Sequence, residues 1–481
     1  MDAQNLLVIM ADEHNAKMLG AVGHPLVKTP NLDGLAARGT RFANAYTPCP
    51  ICVPARASFA TGRYVHDTGY WDNSMGYDGA VKGWGHRLQA AGHRVESIGK
   101  LHYRAESDPV GLDAQHIPMH VKDGVGMVHL SIRRQFPGFT APIRPSGIIP
   151  EAGRGESEYT QYDRKVARLA CEWIEAAAHA KPWVLFVSFV TPHYPLVAPD
   201  EFFSLYSPDD MPPPKLGVES GYRPHPWLQT YVDTTAARDY TTQQHQIATA
   251  AYLGLCSFVD AQIGMVLNTL NERGLTDRTR IIYTSDHGEN GGTRLMWGKS
   301  NHYEEASAIP MIIAGEGVPE NSVKTTPVNL IDVHPSVLHA TGLEHGTDGT
   351  PGTSLFTLAN QANDPERIAF SEYHAARSPS GSFMLRKGRY KYIHYVGFEP
   401  ELFDLETDPE ELTNLAADPL HAQLRATMLA HLREIVDPDD ADRRANDAQV
   451  KLIDSRGGPE KVMANLVTGK HYTPVPEELL R

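Results

Sequence analysis

Short aliphatic runs alternate along the first two thirds of the chain with stretches in which apolar residues recur at helical spacing. Leu6 to Met10, Val95 to Ile98, Trp183 to Val190, Arg280 to Ser285 and Ile309 to Ala314 are of the first kind; Gln161 to Ala178 and Thr241 to Arg273 are of the second. A strand that is apolar on both faces has no solvent side. The pattern therefore predicts an α/β fold with a large, mostly parallel sheet covered by helices on both faces. In open sheets of this kind ligands bind beyond the carboxyl ends of the strands. Polar residues follow four of the runs at once: Asp12-Glu13-His14, Lys100-Leu101-His102, Thr191-Pro192-His193 and Asp286-His287-Gly288. Those four strand ends are the expected site.

The pattern changes near Ile368. FSEYHAA, SFMLRKGRYKYIHY and PELFDLE are alternating or aromatic-rich, with Lys387-Gly388 as a turn, and predict a small antiparallel sheet followed by a helix from His421 to Ile435. The loop-like Asp348 to Gly352 precedes the change. The division is residues 1–365 as a catalytic domain, 366–436 as the antiparallel-sheet subdomain with its helix, and 437–481 as a tail. The large apolar residues of that tail, Val450, Leu452, Ile453, Val462, Leu466, Tyr472 and Leu479, are too few for a core. Such a tail is either loosely attached or an arm laid on a neighbouring subunit of a homo-oligomer, a dimer or tetramer.

Composition narrows the class. A chain of 481 residues with 41% hydrophobic and 21% charged residues has the balance of a soluble enzyme. Its formal net charge of −14 repels polyanions, so neither nucleic acid nor an anionic membrane is an expected partner. The start, MDAQNLLVIMADEH, lacks the basic and long apolar regions of a signal peptide, and no apolar run approaches the ~18 residues of a membrane span. Four cysteines make no disulfide framework, and a cytoplasmic location is the expectation.

The most specific segment is Cys49-Pro50-Ile51-Cys52-Val53-Pro54-Ala55-Arg56, continuing to Gly62. Cys-x-x-Cys alone suits a redox pair or half of a zinc site, but Cys171 and Cys256 lie in helical patterns without the Cys or His pairs that such a site needs. What remains is Cys-x-Pro-x-Arg at Cys52, Pro54 and Arg56. With it the chain resembles the type I, formylglycine-dependent sulfatase family of the alkaline phosphatase superfamily. The resemblance continues through Gly92 to His102, Thr191-Pro192-His193, Ser285 to Glu289, Trp297-Gly298-Lys299 and Glu401 to Leu405, covering nearly the whole chain.

The resemblance implies hydrolysis of a small anionic sulfate monoester to alcohol and inorganic sulfate. Cys52 would be oxidised by a formylglycine-generating enzyme, and the aldehyde hydrate would be the nucleophile. Asp12, Glu13, Cys52, Asp286 and His287 would hold a divalent metal, Ca2+ first and Mn2+ next. Glu13 stands where the family often has Asp, and the imidazole of His287 suits a transition metal. Arg56, Lys100 and Lys299 would surround the sulfate with positive charge. His193 and Lys299 would protonate the leaving alcohol, and His102 would take a proton as sulfate is eliminated; the histidine roles are interchangeable at this level.

Tyr70-Trp71-Asp72-Asn73-Ser74 resembles a segment of the choline sulfatase and phosphonate monoester hydrolase branch, which implies that Asn73 contacts the sulfate. Trp71 and Tyr103 could cage a quaternary ammonium, although such residues beside an α/β core more often pack. The alternative activity is phosphonate monoester or phosphodiester hydrolysis at the same site, since the same cations stabilise a phosphoryl group. A noncatalytic ester-binding protein would not require an oxidisable cysteine.

Overall fold

The run Leu6 to Met10 lies within β1 (Asn5–Asp12), in which all eight residues are buried. A computed structural model describes residues 4–133, 147–177, 182–235, 237–344, 349–464 and 473–476. Ala178, Asp348, Leu466, Tyr472 and Leu479, named above, lie outside them. Seven further strands complete the main sheet: β2 (Gly39–Phe42), β3 (Arg94–Lys100), β4 (Ala114–Met119), β5 (Trp183–Pro192), β6 (Thr279–Ser285), β7 (Met311–Ala314) and β8 (Ser322–Lys324). Their order is β8-β2-β7-β6-β1-β5-β3-β4. Every neighbouring pair is parallel except those of β7, which runs antiparallel to β6 and to β2. The sheet is thus mostly parallel as expected, and the run Ile309 to Ala314 holds the strand that reverses. An apolar run is equally buried in either direction, so its pattern carries no sign.

Alternate residues of β1 enter two separate cores, because successive side chains point to opposite faces. Leu6, Val8 and Met10 pack with Phe59, Trp84 and Val333; Leu7, Ile9 and Ala11 pack with Val166, Ile174, Val259 and Ile263. The second core is formed with α2 (Glu158–Ala177) and α3 (Thr242–Glu272), which pack on each other and on β5. A Thr241–Gln244 capping box starts α3. This helix is long and apolar enough to cross a membrane, which the count of uninterrupted apolar residues did not register, but 89% of its most apolar window is buried within the fold.

The C-terminal sheet is a meander of β9 (Ile368–Tyr373), β10 (Ser382–Lys387), β11 (Tyr390–Tyr395) and β12 (Glu401–Asp404). Lys387 pairs with Tyr390 across the turn, where Gly388 adopts φ +54°. Helix α4 (Ala422–Ile435) packs on β10 and β11.

The tail holds more regular structure than its polar sequence suggests. Its first part is an 18-residue helix, α5 (Pro438–Ser455), with Asp437 accepting from the backbone N–H groups of Asp439 and Asp440. Ala441, Ala445, Gln449 and Ile453 repeat at four-residue spacing and are buried against this same chain. Gln449 donates to Asp72 Oδ2 (2.9 Å) and to the His374 carbonyl (2.8 Å), and accepts from Arg133 Nε (2.8 Å). Over α5 the tail thus lies on its own body. The short α6 (Pro459–Ala464) follows, and residues 473–476 return to the second core, where Val475 is buried.

Candidate active site

Four adjacent strands deliver the site in sheet order: β6 ends at Asp286-His287, β1 at Asp12-Glu13, β5 at His193 and β3 at Lys100 with His102 beyond it. Glu13 and His102 take φ +66° and +57°, a conformation that side chains with a Cβ seldom adopt, as the chain leaves each strand. Helix α1 (Cys52–Thr61), buried at every residue, supplies Cys52 from its first turn and Arg56 one turn later. Pro54 is tolerated there because first-turn N–H groups have no partner within the helix. Asn73 Oδ1 accepts the N–H of Val53 (3.1 Å), placing Asn73 at the helix start beside Cys52. At the other end Gly62, φ +68°, closes the helix, and a Cβ there would meet the His334 ring at 2.7 Å.

One donor atom each from Asp12, Cys52, Asp286 and His287 lie within 4.8 Å of one another. Cys52 Sγ is 3.1 Å from His287 Nε2 and 3.8 Å from Asp12 Oδ1; His287 Nε2 is 3.9 Å from Asp12 Oδ1 and 3.8 Å from Asp286 Oδ1. His287 Nδ1 donates to the Gly288 carbonyl (3.1 Å), so Nε2 turns its lone pair into the cluster. Two carboxylate oxygens, an imidazole lone pair and residue 52 thus fit a divalent cation. Burial, with Asp12 adding to it, pushes the Cys52 thiol up to about 12.

Arg56 is committed to the protein. Its Nε donates to Asp286 Oδ2 (2.8 Å), Nη2 to Asp12 Oδ2 (3.0 Å), and Nη1 to the Lys100 carbonyl (2.7 Å) and Ser188 Oγ (3.0 Å). It holds the two metal-facing carboxylates in fixed relation. Lys100 Nζ lies 2.6 Å from Asp12 Oδ2. Burial alone would raise the Asp12 carboxyl, but Lys100, His193 and Arg56 together hold it well below the usual carboxylate range.

Glu13 does not join the four-donor cluster. Its Oε2 accepts from Lys299 Nζ (2.7 Å) and lies 3.3 Å from His193 Nε2, in a second grouping with Asp12 and His193. Burial, opposed by Lys299 and reinforced by Glu289, raises the Glu13 carboxyl well above its ordinary value. His193 Nδ1 donates to the Tyr194 carbonyl (2.6 Å), leaving Nε2 as its working atom. Burial first, and the charge of Lys299 next, lower the His193 imidazole well below the usual histidine range.

All the residues expected from the sequence come together except that Glu13 faces Lys299. Trp71 and Tyr103 are packed, Trp71 edge-on to His374 with Arg444 of α5 over its ring, and Tyr103 edge-on to Tyr77. Sequence reasoning missed Ser188, Glu289, Tyr159 and Thr473. Glu289 stood in a quoted motif without a role; Thr473, whose hydroxyl lies 2.9 Å from His102 Nε2, carried no signal in the tail.

The "Sulfatase" family model matches residues 4–343, and "N-sulphoglucosamine sulphohydrolase, C-terminal" matches residues 292–437. A choline-sulfatase of Rhizobium meliloti (strain 1021) is 32% identical over 452 residues, spanning 89% of this chain and 85% of that protein. Mouse (Mus musculus) arylsulfatase K is 28% identical over 440 residues, spanning 86% and 76%. Among solved structures, the phosphonate monoester hydrolase of Agrobacterium radiobacter superposes with a TM-score of 0.73 at 25% identity, covering 90% of this chain and 95% of that one.

Proposed function

The chain belongs to the sulfatase family, and from that premise we propose that it hydrolyses a small sulfate monoester to an alcohol and inorganic sulfate, with Cys52 matured to formylglycine. The supporting observation is the convergence of Cys52, Asp12, Asp286 and His287 beside the buried cations Arg56, Lys100 and Lys299. Formylglycine, as its hydrate, supplies an oxygen nucleophile and a second hydroxyl whose deprotonation expels sulfate without attack by water. A divalent cation, Ca2+ with Mn2+ as the alternative that the imidazole ligand favours, would be held by Asp12, Asp286, His287 and residue 52 and would polarise a sulfate oxygen.

The rest is done by side chains already in place. Arg56 bridges Asp12 and Asp286 and holds the two carboxylates apart. Each lysine ammonium has three N–H donors; Lys100 meets Asp12 and Lys299 meets Glu13, so both retain donors for the nonbridging ester oxygens. Lys299, which shares Glu13 Oε2 with His193 Nε2, is placed to give the leaving alcohol its proton, and His102 to accept the proton released with sulfate. Asn73, at the head of α1, would contact the ester. Since Trp71 and Tyr103 are packed, a quaternary ammonium substrate would need a cage from other residues.

The proposal includes maturation by a formylglycine-generating enzyme, a homo-oligomeric assembly and a cytoplasmic location. The likeness to a phosphonate monoester hydrolase over 90% of the chain supports phosphonate monoesters or phosphodiesters as a second reading. The test pairs the mass of the Cys52 peptide with kinetics on 4-nitrophenyl sulfate, choline sulfate and a phenyl phosphonate monoester. Aldehyde mass with higher kcat/KM on a sulfate supports the first reading. Preference for the phosphonate selects the second, and full turnover with an unmodified thiol overturns the formylglycine assignment.

A further inference from the structure

We propose that Thr473 is a positioning residue for His102, so that the segment 473–476 of the chain completes its own reaction centre. This rests on the reading of His102 as a proton acceptor. Thr473 Oγ1 lies 2.9 Å from His102 Nε2 across 371 positions of sequence, and Thr473 is only 3% exposed. The contact is anchored on both sides. The Thr473 carbonyl accepts from Tyr159 OH on α2 (2.8 Å), and Val475, also 3% exposed, is buried in the core that α2 shares with the main sheet. Tyr159 itself stands edge-on to His193, ring centres 6.1 Å apart, so the segment is tied to the same site.

The bond selects which ring nitrogen works. His102 is fixed at its backbone, whose N–H donates to the Met119 carbonyl (2.7 Å). Its Nδ1 is buried and has no hydrogen-bond partner among the described residues. A neutral imidazole carries one N–H, and placing it on Nδ1 would strand a donor away from water, whereas on Nε2 it meets the Thr473 oxygen. The hydrogen therefore resides on Nε2 and the Nδ1 lone pair is left to take a proton. Burial, followed by the nearby charges of Lys100 and Arg56, favours this neutral form.

The test uses the full, matured chain and 4-nitrophenyl sulfate. Thr473→Val keeps the side-chain shape and removes the oxygen. It should lower kcat about five- to tenfold, the scale of one ordinary hydrogen bond, with KM within about twofold. Thr473→Ser should restore kcat, and Thr473→Val should add nothing to a His102→Ala background. An unchanged kcat in Thr473→Val, or an equal loss with and without His102, overturns the proposal. The contact is also read without turnover. In 15N–1H spectra of histidine-labelled protein, a protected Nε2–H signal absent from His102→Ala should be lost or shifted in Thr473→Val. Absence of that signal from the parent overturns the proposal whatever the kinetics, whereas parental kcat in His102→Ala with the signal present overturns only the role of His102 as proton acceptor.

Discussion

His287 Nε2 faces Cys52 Sγ at 3.1 Å, while His287 Nδ1 is held by the carbonyl of the next residue, Gly288. The ring cannot turn its lone pair elsewhere without breaking that bond. Asp286→Asn and His287→Ala should each weaken metal binding at least about tenfold, because one loses a charged oxygen ligand and the other the nitrogen. Elemental analysis of dialysed protein checks this; parental metal content in both variants would remove these residues from the ligand set.

Cys52→Ala should reduce turnover by at least about a thousandfold, the scale of losing a nucleophile. Stability should fall by only about 1 kcal/mol, since a single small side-chain atom is removed from a buried position. Turnover near the parental rate in a variant lacking the side chain would refute residue 52 as the attacking group. Circular dichroism and a melting curve separate this from unfolding.

Lys391 of β11, fully buried, bridges Glu304 Oε1 (2.9 Å) and Glu411 Oε1 (2.8 Å), tying the C-terminal sheet to the segment just after Lys299. Lys391→Met preserves volume but takes the cation away from the buried Glu411 and the half-buried Glu304, at a cost of about 3–5 kcal/mol. The denaturant midpoint should drop accordingly. An unchanged midpoint would mean that the subdomain contact is carried by its apolar packing alone.

His302 is buried, with Nε2 3.1 Å from Ser382 Oγ, and burial lowers its imidazole to about 3. The unfolded value is near ~6.5. Between the two the unfolded chain holds a proton that the native chain does not, so this group makes stability rise with pH and lets it fall as pH drops from about 6.5 toward 3. Urea midpoints measured from pH 8 to 4.5 should fall less steeply in His302→Gln, by about one proton's worth of slope. Parallel curves for the two proteins would place the acid sensitivity elsewhere.

The four strand ends were legible because each buried run stops abruptly at polar residues, and only a site rewards charge at the edge of a core. The direction of β7 was not, since burial is the same for both senses of a strand. Helix α5 escaped notice because its buried face is Ala441, Ala445, Gln449 and Ile453, small and polar enough to resemble a solvated tail. Glu13 sits next to a ligand in sequence, yet its positive φ delivers the carboxylate to Lys299. Thr473 shows the limit most clearly, for an isolated threonine has no pattern and its meaning lies wholly in a partner 371 positions away.

Every residue of α1 is buried, Cys52 among them. A maturation enzyme of the proposed kind would not reach that thiol once the helix is seated, so the proposed modification would have a deadline set by synthesis. Residue 52 leaves the ribosome 421 positions before Thr473, which at about 5–20 residues per second is on the order of tens of seconds. The later partners that seat the helix, residues Leu330–Asp332 and Val333–Ala340, are made only within that interval. Growing the chain from its amino end keeps residue 52 open to chemistry until the segments that will bury it have been made.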